Sequence, residues 1–261
     1  LTAYRDENGK PYSQTYLKAI NNQLTAMFNY AVKYYDLHEN PCTKAGSMGK
    51  SHAEEMNFWT KAEFEQFIVA VQDKPASYTA FMTLYYTGMR VGELCALTPA
   101  DVNLVGHTIT INKTFQRING RDVIWPPKTP KSNRVVTIPQ TLANCLKEYM
   151  DKCYEIQPDD RLFPYTKSFL NHEMLRGCKK SGVKKIRVHD LRHSHASLLI
   201  EMGCQPLLIA DRLGHEKIQT TLNTYSHLYP NKQAEVAAQL ENVMNGTTVP
   251  NGSQMAGVAN L

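Results

Sequence analysis

Residues 189–225 read HDLRHSHASLLIEMGCQPLLIADRLGHEKIQTTLNTY, and the other candidate site residues are expected to fold back onto them. Helical spacing at its start places His189, Arg192 and His193 on one face. Leu198 and Met202 belong to a second, apolar face. This division predicts that the apolar side is buried and that the charged side forms the wall of a pocket.

The second half of the stretch contains residues that end and begin helices. Gly203 suits the position just after a helix, Pro206 the first position of a new helix, and Gly214 the end of that helix. A loop and two short helices are therefore expected to carry His215 and Tyr225 back towards the first helix. Imidazoles, a guanidinium and a late tyrosine brought together in this way make a candidate site.

The composition indicates a soluble globular protein with a mild basic excess. The chain has 261 residues, a formal net charge of +5 and a pI near 8.8, which suits a polyanionic partner without requiring one. Seven Lys or Arg and one acid lie between Arg176 and Arg192, and a solvated surface explains such a run equally well. The six cysteines form no CxxC pair, and no apolar run approaches the ~20 residues that span a membrane. We expect a cytoplasmic protein with reduced thiols and no membrane partner.

The chain divides into a short first part and a larger second part. Residues 13–37 fit one amphipathic helix. Because that helix needs partners and the chain begins at Leu1 without an initiator Met, we expect a further helical part before it. Residues 40–55 combine Pro, Gly, Ser and charge without periodicity, as interdomain linkers do. A second domain begins at Thr60, where TKAE fits a capping box.

The second domain is predicted to contain helices and a small sheet. Helices are predicted over 60–71, 77–86, 141–156, 167–180 and 231–245. Alternating apolar and polar runs predict three antiparallel strands, at 107–115, 121–125 and 134–139. Asn119-Gly120, between the first two runs, is a type I′ hairpin signal. Arg90 and Glu93 stand three residues apart at the start of a short helix, a spacing that alone indicates no more than a surface salt bridge.

Four motifs, in this order, resemble those of the tyrosine recombinase (phage-type integrase) family. They are TGMRVGEL at 87–94, HDLRHSHA at 189–196, LGH at 213–215, and the tyrosine ten residues after it, Tyr225. Each motif alone recurs by chance. Four in the correct order, with a lysine-bearing hairpin between the first and second, make a specific match. The sequence looks closest to integrases of conjugative transposons or temperate phages.

The resemblance implies a mainly α fold with a small three-stranded antiparallel β-sheet. It implies part of a helical core-binding (DNA-binding) domain over 1–45 and a linker over 46–59. A catalytic domain with its C-terminal helix would follow over 60–245, and a mobile tail over 246–261. The implied activity is site-specific cleavage and rejoining of DNA through a covalent 3′-phosphotyrosine, in the integration and excision of a mobile element.

Phosphodiester cleavage explains why these residue types occur together. In-line attack builds negative charge on the non-bridging oxygens, which fixed cationic donors stabilise. Arg90 and Arg192 match the two arginines of the family, and a guanidinium binds phosphate oxygens bidentately. Tyr225 matches the nucleophile. Its phenol has an ordinary pKa near ~10 and must lose a proton as it attacks, a step in which His189 matches the assisting position.

The remaining roles also follow from the resemblance. Lys128, in PPKTPKSN, matches the lysine that protonates the leaving 5′-oxygen, with Lys131 as its rival. His215 matches a further phosphate-contacting donor, and Glu93 is expected to hold Arg90 in place. The other polar residues near these motifs are expected to be structural or to lie on the surface or in the core: Asp190, His193, His195, His107 and His227.

Other functions have to be weighed against this one. His189 and His193 have the i, i+4 spacing of a zincin helix, but an Asp follows the first histidine, and the charge of Arg192 opposes a zinc ion. We therefore expect no metal and no cofactor. A DNA-binding regulator without activity is disfavoured because all the reactive positions hold competent residues. Type IB topoisomerases share the same chemistry and are the nearest alternative.

The partner is predicted to be double-stranded DNA, held mainly through its backbone. Basic residues on or near the sheet and along the run before the opening stretch would line a phosphate track: Lys113, Arg117, Lys131, Arg134, Lys179, Lys180, Lys184, Lys185 and Arg187. By resemblance, the two domains clamp the duplex. The resemblance also implies a homo-oligomer on DNA, from dimer to tetramer, to which the helix over 231–245 would contribute, and it allows for an accessory excision factor.

Overall fold

The computed structural model describes residues 4–5, 7–50, 57–127 and 129–229, together with Ala237, Glu241 and Met244. The chain divides into two compact units, Leu1–Asn57 and Phe58–Leu261. The helix predicted over 231–245 falls outside the described residues except for those three positions. The predicted tail over 246–261 falls outside them entirely.

The first unit contains a long helix, α1 (Gln14–Tyr34), and a short one, α2 (Pro41–Ala45). Ser13 caps α1 by accepting the N–H of Tyr16. Asn40 caps α2, and its side-chain amide also donates to the carbonyl of Thr25 at 3.1 Å. This one side chain therefore starts α2 and fastens it to α1.

The predicted linker over 46–59 is only partly described. Lys50 donates its N–H to the carbonyl of Gln14, and Met48 donates to the side-chain oxygen of Asn21. Trp59, by contrast, is fully buried in the second unit. The boundaries drawn at residues 45 and 59 stay predictions, since residues 51–56 lie outside the described part.

The second unit is mainly helical, as predicted. Its helices are α3 (Lys61–Ala70), α4 (Pro75–Thr87), α5 (Val91–Ala96), α6 (Gln140–Lys152), α7 (Lys167–Ser181), α8 (Leu191–Glu201), α9 (Pro206–Leu213) and α10 (Ile218–Tyr225). Its strands are β1 (Val102–Asn103), β2 (Thr108–Ile111), β3 (Thr114–Ile118), β4 (Arg121–Trp125) and β5 (Arg134–Thr137). Among the described residues, no helix has the length and apolar character needed to cross a membrane.

The strands form two antiparallel sheets, which corrects the predicted arrangement. One sheet has the order β1-β2-β5, and the other is the β3-β4 hairpin. The run at 107–115, predicted as one strand, breaks at Asn112-Lys113, where the ammonium of Lys113 binds Asp101 at 2.6 Å. Phe115 is then buried beneath the guanidinium of Arg161, 4.1 Å from its ring. A sheet of three strands is present, but β1 takes the place predicted for β4.

The hairpin turn agrees with its sequence. Asn119 has a φ of 49° and Gly120 a φ of 80°, the left-handed pair that a type I′ turn requires. Asp122, on β4, accepts from the side chain of Arg161 at 3.1 Å. The hairpin is thus attached to the core through Arg161.

The opening stretch folds close to the prediction. Gly203 and Gly214 have positive φ values of 80° and 69° after their helices, and Pro206 begins α9. His189, however, lies in a 3-10 turn before α8 rather than within the helix. Met202 is 68% exposed, so its predicted burial is wrong, because α8 ends there and the chain turns outward at Gly203.

Candidate active site

A cleft of about 800 Å³ in the second unit brings together residues from distant parts of the sequence. Its wall includes side chains from α5, the strand β3, α7, the 3-10 turn and the segment after α9. The charged and imidazole side chains among them include Arg90, Lys113, Lys167, Arg187, His189 and His215. Basic groups dominate, so the cleft suits an anionic ligand.

Arg90 is fixed at the start of α5 by a reciprocal contact with Glu93. Its backbone N–H donates to Oε2 of Glu93 at 2.7 Å, and its guanidinium Nη1 donates to Oε1 at 2.9 Å. The Arg90 side chain is 39% exposed, whereas that of Glu93 is 4% exposed. The pair predicted as a surface salt bridge is therefore half-buried, and Glu93 holds Arg90, as the family resemblance implied.

Arg134 supplies a second cation to Glu93. Its Nη2 and Nη1 donate to the two carboxylate oxygens at 2.8 and 3.2 Å, and its Nε donates to the carbonyl of Arg212 at 2.9 Å. Burial acts to raise the pKa of Glu93, but hydrogen bonds and charge from Arg134 and Arg90 outweigh it, so the pKa is lowered. Arg134 was predicted to contact DNA. Its side chain is 6% exposed and engaged with protein groups, which disfavours direct contact, and the DNA-contact role stays a prediction.

Arg192 is buried next to the cleft. Nη1 donates to the carbonyl of Gly88 at 2.8 Å and Nη2 to that of Leu213 at 2.7 Å. Burial, then the nearby charges of Arg90 and Arg134, lowers its pKa. The guanidinium therefore joins the end of α4 to the end of α9 and meets the segment that holds His215.

His215 is oriented by contacts on both its main chain and its ring. Its N–H donates to the carbonyl of Ala210, and its Nδ1 lies 2.7 Å from the hydroxyl of buried Thr221. Burial, followed by the charges of Arg192 and Arg90, lowers its pKa to about 4. The ring is neutral at pH 7, and Nε2 has no hydrogen-bond partner among the described residues, which leaves it free for a ligand in the cleft.

Tyr225, the last residue of α10, is 1% exposed. Its hydroxyl lies 2.8 Å from Nδ1 of His193. Burial raises the pKa of Tyr225 to about 12, although the charge of Arg192 opposes the rise. Sequence reasoning missed this contact and treated His193 as structural. The signal was present, because His193 shares its helical face with Arg192.

His189 lines the cleft but makes no hydrogen bond to Tyr225 in the described structure. Its ring packs edge-on against that of His193, with centroids 5.8 Å apart. Burial and the charge of Arg192 lower its pKa. His189 is thus one ring removed from the hydroxyl that it was predicted to assist.

The candidate acid, Lys128, lies outside the described residues. Its chain neighbours Pro127 and Thr129 both line the cleft. Its rival Lys131 is exposed and is not among the described residues that line the cleft. The choice between the two lysines therefore stays a prediction.

The predicted DNA-contact residues differ in their exposure and in whether they form ion pairs with acidic side chains. Lys113 lines the cleft, but its ammonium binds Asp101. Arg187 lines it too and is 80% exposed while paired with Asp190. Three others form looser exposed or partly exposed pairs, Arg117 with Asp122 at 3.6 Å, Lys180 with Asp73 at 3.8 Å and Lys184 with Glu63 at 3.4 Å. Lys179 and Lys185 are exposed.

The histidines do not build a metal site within the described ranges. No group of three or more His, Cys, Asp or Glu side chains there is arranged to hold an ion. The rings of His189 and His193 pack against each other instead, and His193 alone of the two contacts Tyr225.

Comparisons with known proteins bear on the family and the fold. The profile of the phage integrase family matches residues 57–232. The ICEBs1 integrase of Bacillus subtilis is 33% identical over 244 residues, which cover 87% of this chain and 66% of that protein. The integrase of Staphylococcus phage L54a is 29% identical and covers 94% of this chain and 79% of its own length. This chain thus spans just under two thirds of the ICEBs1 protein.

Solved structures share the fold. The Tn1549 transposon integrase, in complex with a circular intermediate DNA, aligns over 89% of this chain and 80% of its own with a TM-score of 0.74 and 21% identity. XerA recombinase aligns over 88% of this chain and 76% of its own with a TM-score of 0.56 and 25% identity. With the family profile covering more than half of its residues, the chain belongs to the phage integrase family.

Proposed function

We propose that this chain is a site-specific DNA recombinase that cleaves and rejoins strands through a covalent 3′-phosphotyrosine at Tyr225. The observation that carries the proposal is a cleft lined by Arg90, His189 and His215, with Arg192 buried next to it and Tyr225 bonded to His193, whose ring packs against that of His189. A scissile phosphate in this cleft would meet the guanidinium of Arg90 and a neutral imidazole, with the buried charge of Arg192 behind them. These are the donors that a phosphorane-like transition state needs when no metal supplies charge.

The reaction is a balanced exchange of esters. The phenolic oxygen of Tyr225 forms a bond to phosphorus while the bond to the 5′-oxygen breaks, and the phenolic proton passes to His189, the residue that the family resemblance assigns to this step. The leaving 5′-oxygen takes a proton from Lys128. Because the phosphotyrosine keeps the energy of the ester, attack by a 5′-hydroxyl rejoins a strand without a cofactor.

Charge around the cleft supports DNA as the substrate. Arg187 and Lys167 line the cleft together with Arg90, and Lys179 and Lys185 are exposed elsewhere on the same unit. Affinity for duplex DNA should fall steeply with salt as these groups displace counterions. The related Tn1549 integrase structure contains a circular intermediate DNA, which favours integration and excision of a mobile element as the biological reaction.

The proposed assembly is a dimer to tetramer on DNA, with the segment over 231–245 passed between copies and an accessory excision factor as a further partner. Residues 1–45 would contact the duplex as part of a core-binding domain. Two-site strand exchange distinguishes this assembly from a type IB topoisomerase, which relaxes supercoils without exchanging ends.

The test uses DNA duplexes with the sequences that flank the gene for this protein. Each duplex carries a nick near the cleavage position, so that the short cleaved fragment diffuses away and the covalent adduct accumulates. The chain should form an adduct that survives denaturing electrophoresis, in EDTA as well as in magnesium. Tyr225→Phe should form none while still binding DNA. An adduct from the Phe variant, or an adduct lost on adding EDTA, would contradict the mechanism. Exchange between two labelled duplexes then separates recombination from relaxation.

A further inference from the structure

The hydroxyl of Tyr225 has one hydrogen-bond partner among the described residues, and it is His193. The two atoms lie 2.8 Å apart and the ring centroids 5.7 Å apart. The motif resemblance gives His189 the role of assisting the tyrosine. In the structure His189 contacts the ring of His193 instead.

Both sides of this hydrogen bond are held in place by the surrounding fold. The residue after His193, Ser194, donates its hydroxyl to the carbonyl of Asp190 and accepts the N–H of Trp59 at 2.9 Å. The residue before it, Arg192, is bonded to the carbonyls of Gly88 and Leu213. α8 therefore has little freedom to rotate at this position, and the His193 ring itself lies between the ring of His189 and the hydroxyl of Tyr225.

The pKa values of His193 and Tyr225 determine whether a proton can pass along this hydrogen bond. Burial, followed by the neighbouring His189, lowers the pKa of His193 to about 4, and burial raises that of Tyr225 to about 12. Proton transfer from the phenol to this imidazole is therefore unfavourable by many powers of ten in the resting protein. A neutral imidazole that accepts the hydroxyl hydrogen fixes the direction of the oxygen lone pairs without removing the proton.

We propose that His193 is a positioning residue, whose Nδ1 orients the hydroxyl of Tyr225 for attack on the scissile phosphate. The inference rests on the proposed function and adds a residue that the family motifs did not supply. Misorientation of a nucleophile by about 1 Å costs roughly 100-fold in rate, so loss of this one bond should be measurable.

Three substitutions separate orientation from bulk and from proton transfer. The side-chain oxygen of Asn falls near the position of Nδ1, whereas that of Gln falls near Nε2. We expect His193→Asn to keep the single-turnover cleavage rate within about threefold of the original chain, and His193→Gln and His193→Leu to lose roughly 10- to 100-fold. The pH profile of His193→Asn should match that of the unchanged chain, because orientation needs no titration.

Controls keep fold and binding separate from chemistry. His107→Asn makes the same change in the turn between β1 and β2, outside the site, and should cleave normally. Thermal unfolding and noncovalent DNA binding are measured for every variant. Asn and Gln are both polar and similar in size, so their difference in rate reports on the bond even where His193→Leu fails to fold.

Two results would overturn the inference. One is equal cleavage by the Asn, Gln and Leu variants. The other is a folded Asn variant that is as slow as Leu, which would assign the role to the ring or its protonation. Failure of the proposed function is distinguishable, because then the unchanged chain forms no adduct or Tyr225→Phe still forms one.

Discussion

Arg134 and Glu93 form a two-bond ion pair in the wall of the cleft, with both side chains almost completely buried. The same carboxylate holds Arg90, and the same guanidinium reaches the carbonyl of Arg212, three residues before His215. One pair therefore connects two of the groups proposed to bind phosphate. We therefore expect Arg134 to affect substrate binding through its neighbours rather than by direct contact.

Removal of the Arg134 side chain should lower the stability of the protein. Arg134→Ala leaves Glu93 buried with one half-exposed partner, a loss expected to be roughly 3–5 kcal/mol. Lys147→Ala breaks the exposed pair with Asp151 and should change the unfolding free energy little. Urea unfolding measures both. If Arg134→Ala costs no more than its control and lowers the salt dependence of DNA binding by about one ion, Arg134 is a phosphate contact after all.

Gly88 should not tolerate a side chain. Its φ is +66°, and an added Cβ would lie 2.6 Å from the His195 ring and 2.7 Å from Leu213. Gly182 has a similar φ of +76° with nothing within 4 Å. We expect Gly182→Ala to lower the free energy of unfolding by about 1–2 kcal/mol, because of backbone strain alone. Gly88→Ala should lower it by about 1–3 kcal/mol more, because the added methyl group also overpacks the core. Equal unfolding free energies for the two variants would contradict the close packing.

The Gly88 substitution should also slow cleavage, since the Gly88 carbonyl accepts from Arg192. Single-turnover rates at a temperature where both variants are folded test this. Gly182→Ala should cleave at the original rate.

Stability should fall on mild acidification, in part because of His195. Burial, then the charge of Arg212, lowers the pKa of His195 to about 3. As the pH falls below about 6.5, the His195 imidazole becomes protonated in the unfolded chain but not in the folded protein. The contribution of His195 to the free energy of unfolding is therefore at its maximum above about 6.5 and falls as the pH decreases towards 3. Between pH 7.5 and 5.0 the loss should be on the order of 2 kcal/mol for this residue.

His195→Gln tests that assignment. The Gln side chain can still accept from Nε of Arg212, which lies 3.1 Å from Nε2 of His195, but it does not titrate. Urea unfolding at pH 7.5 and 5.0 should show a smaller difference in the variant. The buried carboxylates contribute little here, because the stability from their lowered pKa values is lost only below about 4.5. An unchanged pH difference would mean that His195 does not resist protonation.

The leaving-group acid can be identified by chemical rescue. Lys128→Ala should slow cleavage of an ordinary phosphodiester by roughly 100- to 10,000-fold, the usual contribution of a general acid. A 5′-bridging phosphorothioate leaves without an acid and should restore the rate. Lys131→Ala serves as the matched control and should change both substrates little. If the phosphorothioate restores the rate of Lys131→Ala but not that of Lys128→Ala, Lys131 is the leaving-group acid and Lys128 is not.

Local rules account for most of what the sequence predicted correctly. Gly203, Pro206 and Gly214 set helix boundaries through their own backbone preferences, and Asn119-Gly120 sets the hairpin turn. The split of the 107–115 run was missed because it depends on distant partners. Asp101 binds Lys113, and Arg161 covers Phe115, and neither contact has a periodic signature.

The same distinction, between features set by local sequence and features set by distant contacts, applies to the candidate site. Arg90, Glu93 and His215 were found through motifs, and the structure brings them to one cleft. Arg134 and His193 were given other roles because sequence spacing does not reveal which of several polar groups is buried. In the sequence Arg134 is one of many basic residues. Only the structure shows that it lies on β5 and bonds to Glu93 on α5.

Trp59 is the second residue of the larger unit, and its indole and main chain donate to the carbonyl of Lys184 and the hydroxyl of Ser194. A pulling force on the chain at Phe58 would act first on buried Trp59 and then on its two hydrogen-bond partners, Lys184 and Ser194. Ser194 lies directly after His193 and two residues after Arg192. Tension at the entry to this unit would thus act within a few residues of the side chain that contacts the Tyr225 hydroxyl, and an optical-trap measurement of the cleavage rate under load tests this.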